Sequence, residues 1–165
     1  MELSDYPTCA RTFATLRIYS GRLTPAEVTS RLGVEPSRSQ RKGDALTKSK
    51  QPVLAKMHGW FLTSEGAIES RDVRRHLDWL LEQLGPRVDA IRSLQSDGCS
   101  MDISCYWLSF SGHGGPSVLP AQMGELGRLG LELWFDVYFG GNTDAEPPHV
   151  PSNLNKNKAH GPDVG

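Results

Sequence analysis

Apolar and polar residues alternate over residues 12–20, with Ala14, Leu16 and Ile18 on one side and Thr15, Arg17 and Tyr19 on the other. A period of two predicts a strand with one buried face. Thr24-Pro25-Ala26-Glu27 follows as a helix start: Thr24 caps, Pro25 suits the first helical position and Glu27 completes a capping box. Val28 and Leu32 form the buried stripe, and Gly33 is the stop. Gly59 to Thr63 predicts a second strand, with Trp60 and Leu62 on one side. After Ser70, an expected cap, the spacing becomes helical through Val73, Leu77, Leu80, Leu81 and Leu84. Gly85-Pro86 interrupts, and Val88, Ile91 and Leu94 carry a second helical piece to Ser96. Met101 to Leu108 alternates again: Met101, Ile103, Cys105 and Trp107 share one side, Asp102, Ser104 and Tyr106 the other. A helix over Pro120 to Arg128 and a strand over Leu131 to Phe139 complete the series. In that strand Leu133, Phe135 and Val137 face inward, and Glu132, Trp134, Asp136 and Tyr138 face outward.

Two of these segments resemble each other. Ser20-Gly21 precedes Pro25-Ala26-Glu27-Val28 and Arg31-Leu32-Gly33; Ser111-Gly112 precedes Pro120-Ala121-Gln122-Met123 and Arg128-Leu129-Gly130. The copies differ in the turn, where Arg22 alone stands against six residues, His113 to Val118. The pattern predicts an α+β fold of two related β-α-β units. They pair into a four-stranded antiparallel ferredoxin-like sheet with both short helices on one face. The long helix is inserted between the halves and is expected to bury its leucines on the second sheet face or at its edge.

Residues 36–58 break the periodicity. Arg38, Arg41, Lys42, Lys48, Lys50 and Lys56 stand against Asp44 alone, a local charge of +5, and the stretch reads as a long mobile loop. Residues 141–165 are rich in Pro, Asn, Lys and Gly with few apolar groups, and are expected to be disordered. The expected organisation is one domain over residues 11–140 with flexible tails at 1–10 and 141–165. The whole chain has 165 residues, 38% of them hydrophobic and 22% charged, which suits a soluble domain with a core of its own. A net charge of −1 argues against a dedicated nucleic-acid binder. Cys9, Cys99 and Cys105 lack metal-type spacing and read as reduced thiols of a cytoplasmic protein. No leader or membrane-spanning run is evident.

Three constellations offer chemistry. Gly112, His113, Gly114 and Gly115 form a turn whose N–H groups, with the following helix, suit an anion, and His113 could bind a ligand or move a proton. Arg38, Arg41 and Lys42 suit carboxylates or phosphates. The polar strand faces gather Arg17, Tyr19, Asp102, Ser104, Tyr106, Glu132, Trp134, Asp136 and Tyr138. Such aromatics can stack bases, but three acids on the same face repel phosphates. They become polar-tipped core if the long helix covers them. The histidines show no paired spacing and no Cys-x-x-Cys exists, so neither a metal nor a cofactor is expected.

Several stretches together resemble an uncharacterised, mainly bacterial family, domain of unknown function 4279. They are Ala14 to Ile18, Gly33 to Arg38, Arg41 to Asp44, Gly59-Trp60, His76 to Leu81, Asp102 to Trp107, Gly112 to Pro116 and Leu131 to Asp136. Their order carries the resemblance, which spans about residues 13–139; the chain after Phe139 departs from it. The family implies an intact domain and no particular reaction.

The functional expectation is a non-enzymatic binding module in which Arg38, Arg41 and Lys42 meet the Gly112–Gly115 turn around a small anionic ligand or an acidic protein surface. A regulatory or toxin-neutralising role is its biological form. The alternative is an enzyme with His113 as general acid or base and Asp102 or Asp136 orienting a substrate.

Overall fold

The structure is a computed structural model and describes residues 6–140. The expected tail at 141–165 and the first five residues lie outside the described residues. Strands β1 (Cys9–Ser20), β2 (Arg38–Gln40), β3 (His58–Thr63), β4 (Ser100–Ser109) and β5 (Glu132–Phe139) form one sheet in the order β2-β3-β1-β4-β5. Helices are α1 (Pro25–Leu32), α2 (Val73–Leu84), α3 (Val88–Ser96) and α4 (Pro120–Leu129). A 3-10 turn at Gly85–Arg87, where the Gly-Pro pair falls, joins α2 to α3.

The α+β class holds, but the sheet has five strands and is mixed, not four-stranded and wholly antiparallel. Neighbouring pairs from β2 to β4 are antiparallel, and β4 pairs with β5 in parallel. The reason lies in the basic stretch. Arg38–Gln40 is itself a strand, so the chain leaves α1, runs along the sheet edge as β2 and only then turns back as β3. The parallel return that α1 makes is therefore to β2, with β3 lying between β2 and β1. Helix α4 instead returns the chain to a strand directly beside β4. The remainder of the stretch is structured too: Ala45 bridges Leu54, the Gly43 N–H donates to the Ala55 carbonyl, and the Ala55 N–H donates to the Asp44 carbonyl.

Residues 6–10, expected with the tail, belong to the folded unit. Cys9 is fully buried and pairs with Ser109, and the Tyr6 ring packs edge-on against Trp107 with centroids 5.1 Å apart.

All four helices gather on one side of the sheet. Ala14, Leu16, Ile18, Trp60, Leu62, Ile103 and Cys105 from the strands form one cluster with Val28, Leu32, Leu77, Leu80, Leu84, Ile91, Leu94, Leu126 and Leu129 from the helices. Each of the larger aliphatic side chains contributes about 1.5–3 kcal/mol when fully buried, so this layer dominates stability. The α2 leucines thus share the face used by α1 and α4, and the expected cover over the second face is absent among the described residues. The local signals hold. Thr24 and Glu27 form a capping box, Pro25 opens α1, and Gly33 closes it in the left-handed region at φ 66°. Asp72, not Ser70, caps α2, while Ser70 Oγ accepts the Asp72 N–H. Behind that cap the buried His76 Nδ1 lies 2.8 Å from Ser64 Oγ, and its Nε2 lies 2.9 Å from the Ser70 carbonyl. A carbonyl only accepts, so Nε2 carries the proton and Nδ1 takes the Ser64 hydroxyl.

Candidate functional site

Period two places Phe13, Thr15, Arg17 and Tyr19 of β1 opposite the helical layer. The cross-strand register then fixes their neighbours. Phe13 faces Tyr106, Thr15 faces Ser104 and Arg17 faces Asp102 on β4. Thr15 faces Thr63 and Arg17 faces Phe61 on β3, and Arg38 of β2 faces Phe61. On the other side Asp102, Ser104, Tyr106 and Leu108 align with Glu132, Trp134, Asp136 and Tyr138 of β5. Every member of the polar constellation read from the sequence therefore lies on one sheet face, and among the described residues no helix packs over it.

That face is layered. Arg17 lies at its centre and grips Asp102 with two hydrogen bonds, Nε–Oδ1 at 2.6 Å and Nη2–Oδ2 at 2.9 Å. The same guanidinium sits 5.1 Å from the centroid of the Trp134 ring. Burial disfavours the Arg17 charge, and the Asp102 bonds outweigh it, holding the guanidinium above its ordinary pKa. Arg38 stacks 4.3 Å from the Phe61 centroid, and Tyr19 meets Phe61 edge-on at 5.5 Å. Phe13 and Tyr106 stack at 4.9 Å, Tyr138 continues the row at 5.1 Å from Tyr106, and Arg11 lies over Phe13 at 5.7 Å. Tyr138 donates to Asp136 at 2.9 Å. Burial raises the Tyr19, Tyr106 and Tyr138 phenols, so all three remain neutral donors. Beside Phe13 an open groove of about 410 Å³ runs between the start of β1 and residues 65–71, with Arg11, Glu65 and Glu69 in its walls.

The face explains its own glycine. A Cβ at Gly59 would fall 2.6 Å from Cζ of Phe61 and 2.9 Å from Cγ of Gln40. Only a bare backbone lets the Phe61 ring lie down under Arg38.

The other candidates lie elsewhere and apart. Arg41 and Lys42 follow Gln40, which aligns through Gly59 with Tyr19, near the end of β1. Gly112 to Gly115 follow Ser109, which aligns with Cys9 at the start of β1. Tyr19 and Cys9 are about ten strand positions, ~33 Å, apart. The structure thus does not bring the basic turn to the glycine turn, and it sends Arg38 to the open face. Within their own turns the groups serve local bonds. The Arg41 N–H donates to Asp44, and the Lys42 N–H to His58 Nδ1. The Gly115 carbonyl accepts the Tyr6 hydroxyl at 2.8 Å, Gly112 N–H donates to Ser109 Oγ, and that hydroxyl donates to the His113 carbonyl. Gly114, at φ 80°, lies where a Cβ would meet Thr8 Oγ1 at 2.6 Å. The glycine turn therefore clasps the start of β1. His113 is exposed, with Nε2 3.2 Å from Ser111 Oγ. Asp102, near the start of β4, and Ser109 at its end are about seven positions, ~23 Å, apart, so His113 and Asp102 do not share a site.

Sequence reasoning missed Phe13, Phe61 and Arg11, and it read Arg38 as a loop residue. Phe13 and Phe61 were within reach, because strict alternation sets them opposite Ala14, and opposite Trp60 and Leu62. Cysteine chemistry has no foothold: burial pushes Cys9 up to about 11 and Cys105 up to about 12, so both thiols stay protonated at neutral pH. Among the described residues no three His, Cys, Asp or Glu side chains group to hold a metal ion, and no helix is long and apolar enough to cross a membrane.

A family model described as domain of unknown function (DUF4279) matches residues 10–140. The chain belongs to this family. No curated protein and no solved structure matches it. The DUF4279 span runs from the second residue of β1 to the residue after β5, so the open face lies wholly inside the family domain.

Proposed function

We propose that this chain is a non-enzymatic binding module that docks a protein partner on its open sheet face. In this reading β1, α1, β2, β3, the α2–α3 pair and β4 are a ferredoxin-like core, and α4 with β5 is an added unit that widens the face. The observation that carries the proposal is the concentration of Phe13, Tyr19, Phe61, Tyr106, Trp134 and Tyr138, interleaved with Arg11, Arg17 and Arg38, on a face that no helix covers among the described residues. Tyrosine, tryptophan and arginine are the side chains that anchor protein interfaces, since they bury large area while keeping a polar tip satisfied. Asp102, Asp136 and Glu132 among them favour a protein surface of mixed charge over a phosphate-bearing ligand.

The test places a photo-crosslinking amino acid at Ser104, in the centre of the face, and at Ala121, exposed on α4, in the full-length protein inside its source cells. Adducts from position 104 and not from 121, lost when Arg38→Ala and Trp134→Ala are combined, are expected. Equal adducts at the two positions, none at 104, or adducts that survive the paired substitution would refute the reading.

A further inference from the structure

The two edges of the sheet are unlike. The β2 edge has three residues, carries Arg38 and passes directly into the folded turn at residues 43–55. The β5 edge has eight residues in unbroken parallel register with β4, and no strand lies beyond it among the described residues. An edge strand of that length presents a row of unpaired N–H and C=O groups, about 26 Å long. Natural edges are ordinarily blunted by lysine, proline, a bulge or a short strand. Strand β5 has none of these: Glu132-Leu133-Trp134-Phe135-Asp136-Val137-Tyr138-Phe139 contains no Lys, Arg or Pro, and its register with β4 does not slip.

The side chains along this edge specify what fits it. On the open face Glu132 is exposed and forms no ion pair among the described residues, and the carboxylate of Asp136, two steps of alternation further on, accepts the Tyr138 hydroxyl and lies near enough to Arg17 to act on its charge. On the helical side the strand presents Leu133, Phe135, Val137 and Phe139, the last two 41% and 70% exposed. A strand laid against β5 would thus meet two carboxylates four positions apart on one face and an apolar row on the other.

We infer that the β5 edge accepts an extended segment of a partner protein as a sixth strand, and that this segment is basic at positions four apart and apolar at the alternate ones. Backbone hydrogen bonds supply the attachment and the alternating side chains the choice of sequence. A second copy of the chain is disfavoured as the occupant, because self-pairing of β5 joins two strands that each carry two carboxylates and no cation. The segment that follows β5 is disfavoured by its chemistry, since it opens with Asp144, Glu146, Pro147 and Pro148. The inference is independent of the open-face reading, because the edge could bind a strand with the centre of the face bare.

The experiment follows backbone hydrogen exchange of the full-length protein with two synthetic peptides, Lys-Val-Thr-Val-Lys-Val-Thr-Val and the same sequence with glutamate for lysine. Without peptide, the alternate β5 amides that do not bond to β4 should exchange quickly at every protein concentration. The lysine peptide should slow them, and the glutamate peptide should not. Glu132→Lys combined with Asp136→Asn should weaken the lysine peptide by about tenfold, the worth of two exposed ion pairs. Equal protection by both peptides, or protection confined to β1 and β3, overturns the inference. So does protection before any peptide is added: if it grows with protein concentration the occupant is a second copy, and if it does not the occupant is this chain itself. The crosslink at position 104 and the exchange of β5 amides read different surfaces, so either proposal can fail alone.

Discussion

Arg17 and Asp102 stand 85 residues apart in the chain and directly opposite each other in the sheet, joined by a two-bonded fork with one partner 15% and the other 25% exposed. The pair ties β1 to β4 on the face opposite the helical layer. Hydrogen bonds to charged groups at such half-buried positions are worth about 1.5–3 kcal/mol, and removing one partner strands the other. Asp102→Ala is therefore expected to destabilise the fold by about 2 kcal/mol. Arg17→Lys should cost less than Arg17→Ala, because the ammonium keeps the charge while losing the planar fork and the stacking on Trp134. Urea unfolding midpoints of the three variants check the order.

The buried His76 gives the fold a defined acid sensitivity. Burial holds its pKa below the ordinary value of about 6.5 that it regains in the unfolded chain. Between those two values the unfolded state binds the extra proton, so stability is complete above neutral pH and falls as pH drops below about 6.5. The slope contributed by this one proton cannot exceed about 1.4 kcal/mol per pH unit. Denaturant midpoints between pH 7.5 and 5 should show the decline in the native chain and in His113→Ala. In His76→Gln the stability should be lower at pH 7.5 and its decline with acid shallower. A His76→Gln slope equal to that of the native chain would contradict the assignment.

Gly59→Ala should be costly although the position lies in a regular strand. The new methyl group meets the Phe61 ring, which Arg38 and Tyr19 hold from two sides. Overpacking of this kind costs about 1–3 kcal/mol. Pairing the substitution with Phe61→Leu, which vacates the ring position, should recover part of the loss, and a double-mutant cycle of thermal midpoints measures the coupling.

Legibility in the sequence tracks the range of the interactions. The capping box at Thr24 and Glu27, the α2–α3 break at Gly85-Pro86 and the left-handed stops at Gly33 and Gly130 depend on residues a few positions apart, and each is visible in the string of letters. The membership of the open face is visible as well, since alternation fixes which residues of a strand share a side. Strand β2 is not, because Arg38-Ser39-Gln40 is too short and too polar to show a period. Nor does the leucine stripe of α2 say which sheet face receives it, and that single choice separates a buried aromatic layer from an uncovered one. The meeting of Arg17 with Asp102 needs the strand register, which no local pattern encodes.

The sheet order has a consequence for how the chain is made. Strand β1 lies at the middle of the sheet but is synthesised first, and its partner on β4 follows 85 residues later in the case of Arg17 and Asp102. At 5–20 residues per second the ribosome takes about 4–17 s to supply that neighbour. During this interval α1, β2 and β3 can shelter only one flank of β1, and the alternating Ala14, Leu16 and Ile18 wait for α2 and α3 to arrive. Helix α4 and β5 are the last of the described elements to be made, so the sheet grows from β1 outward and is completed at the β5 edge.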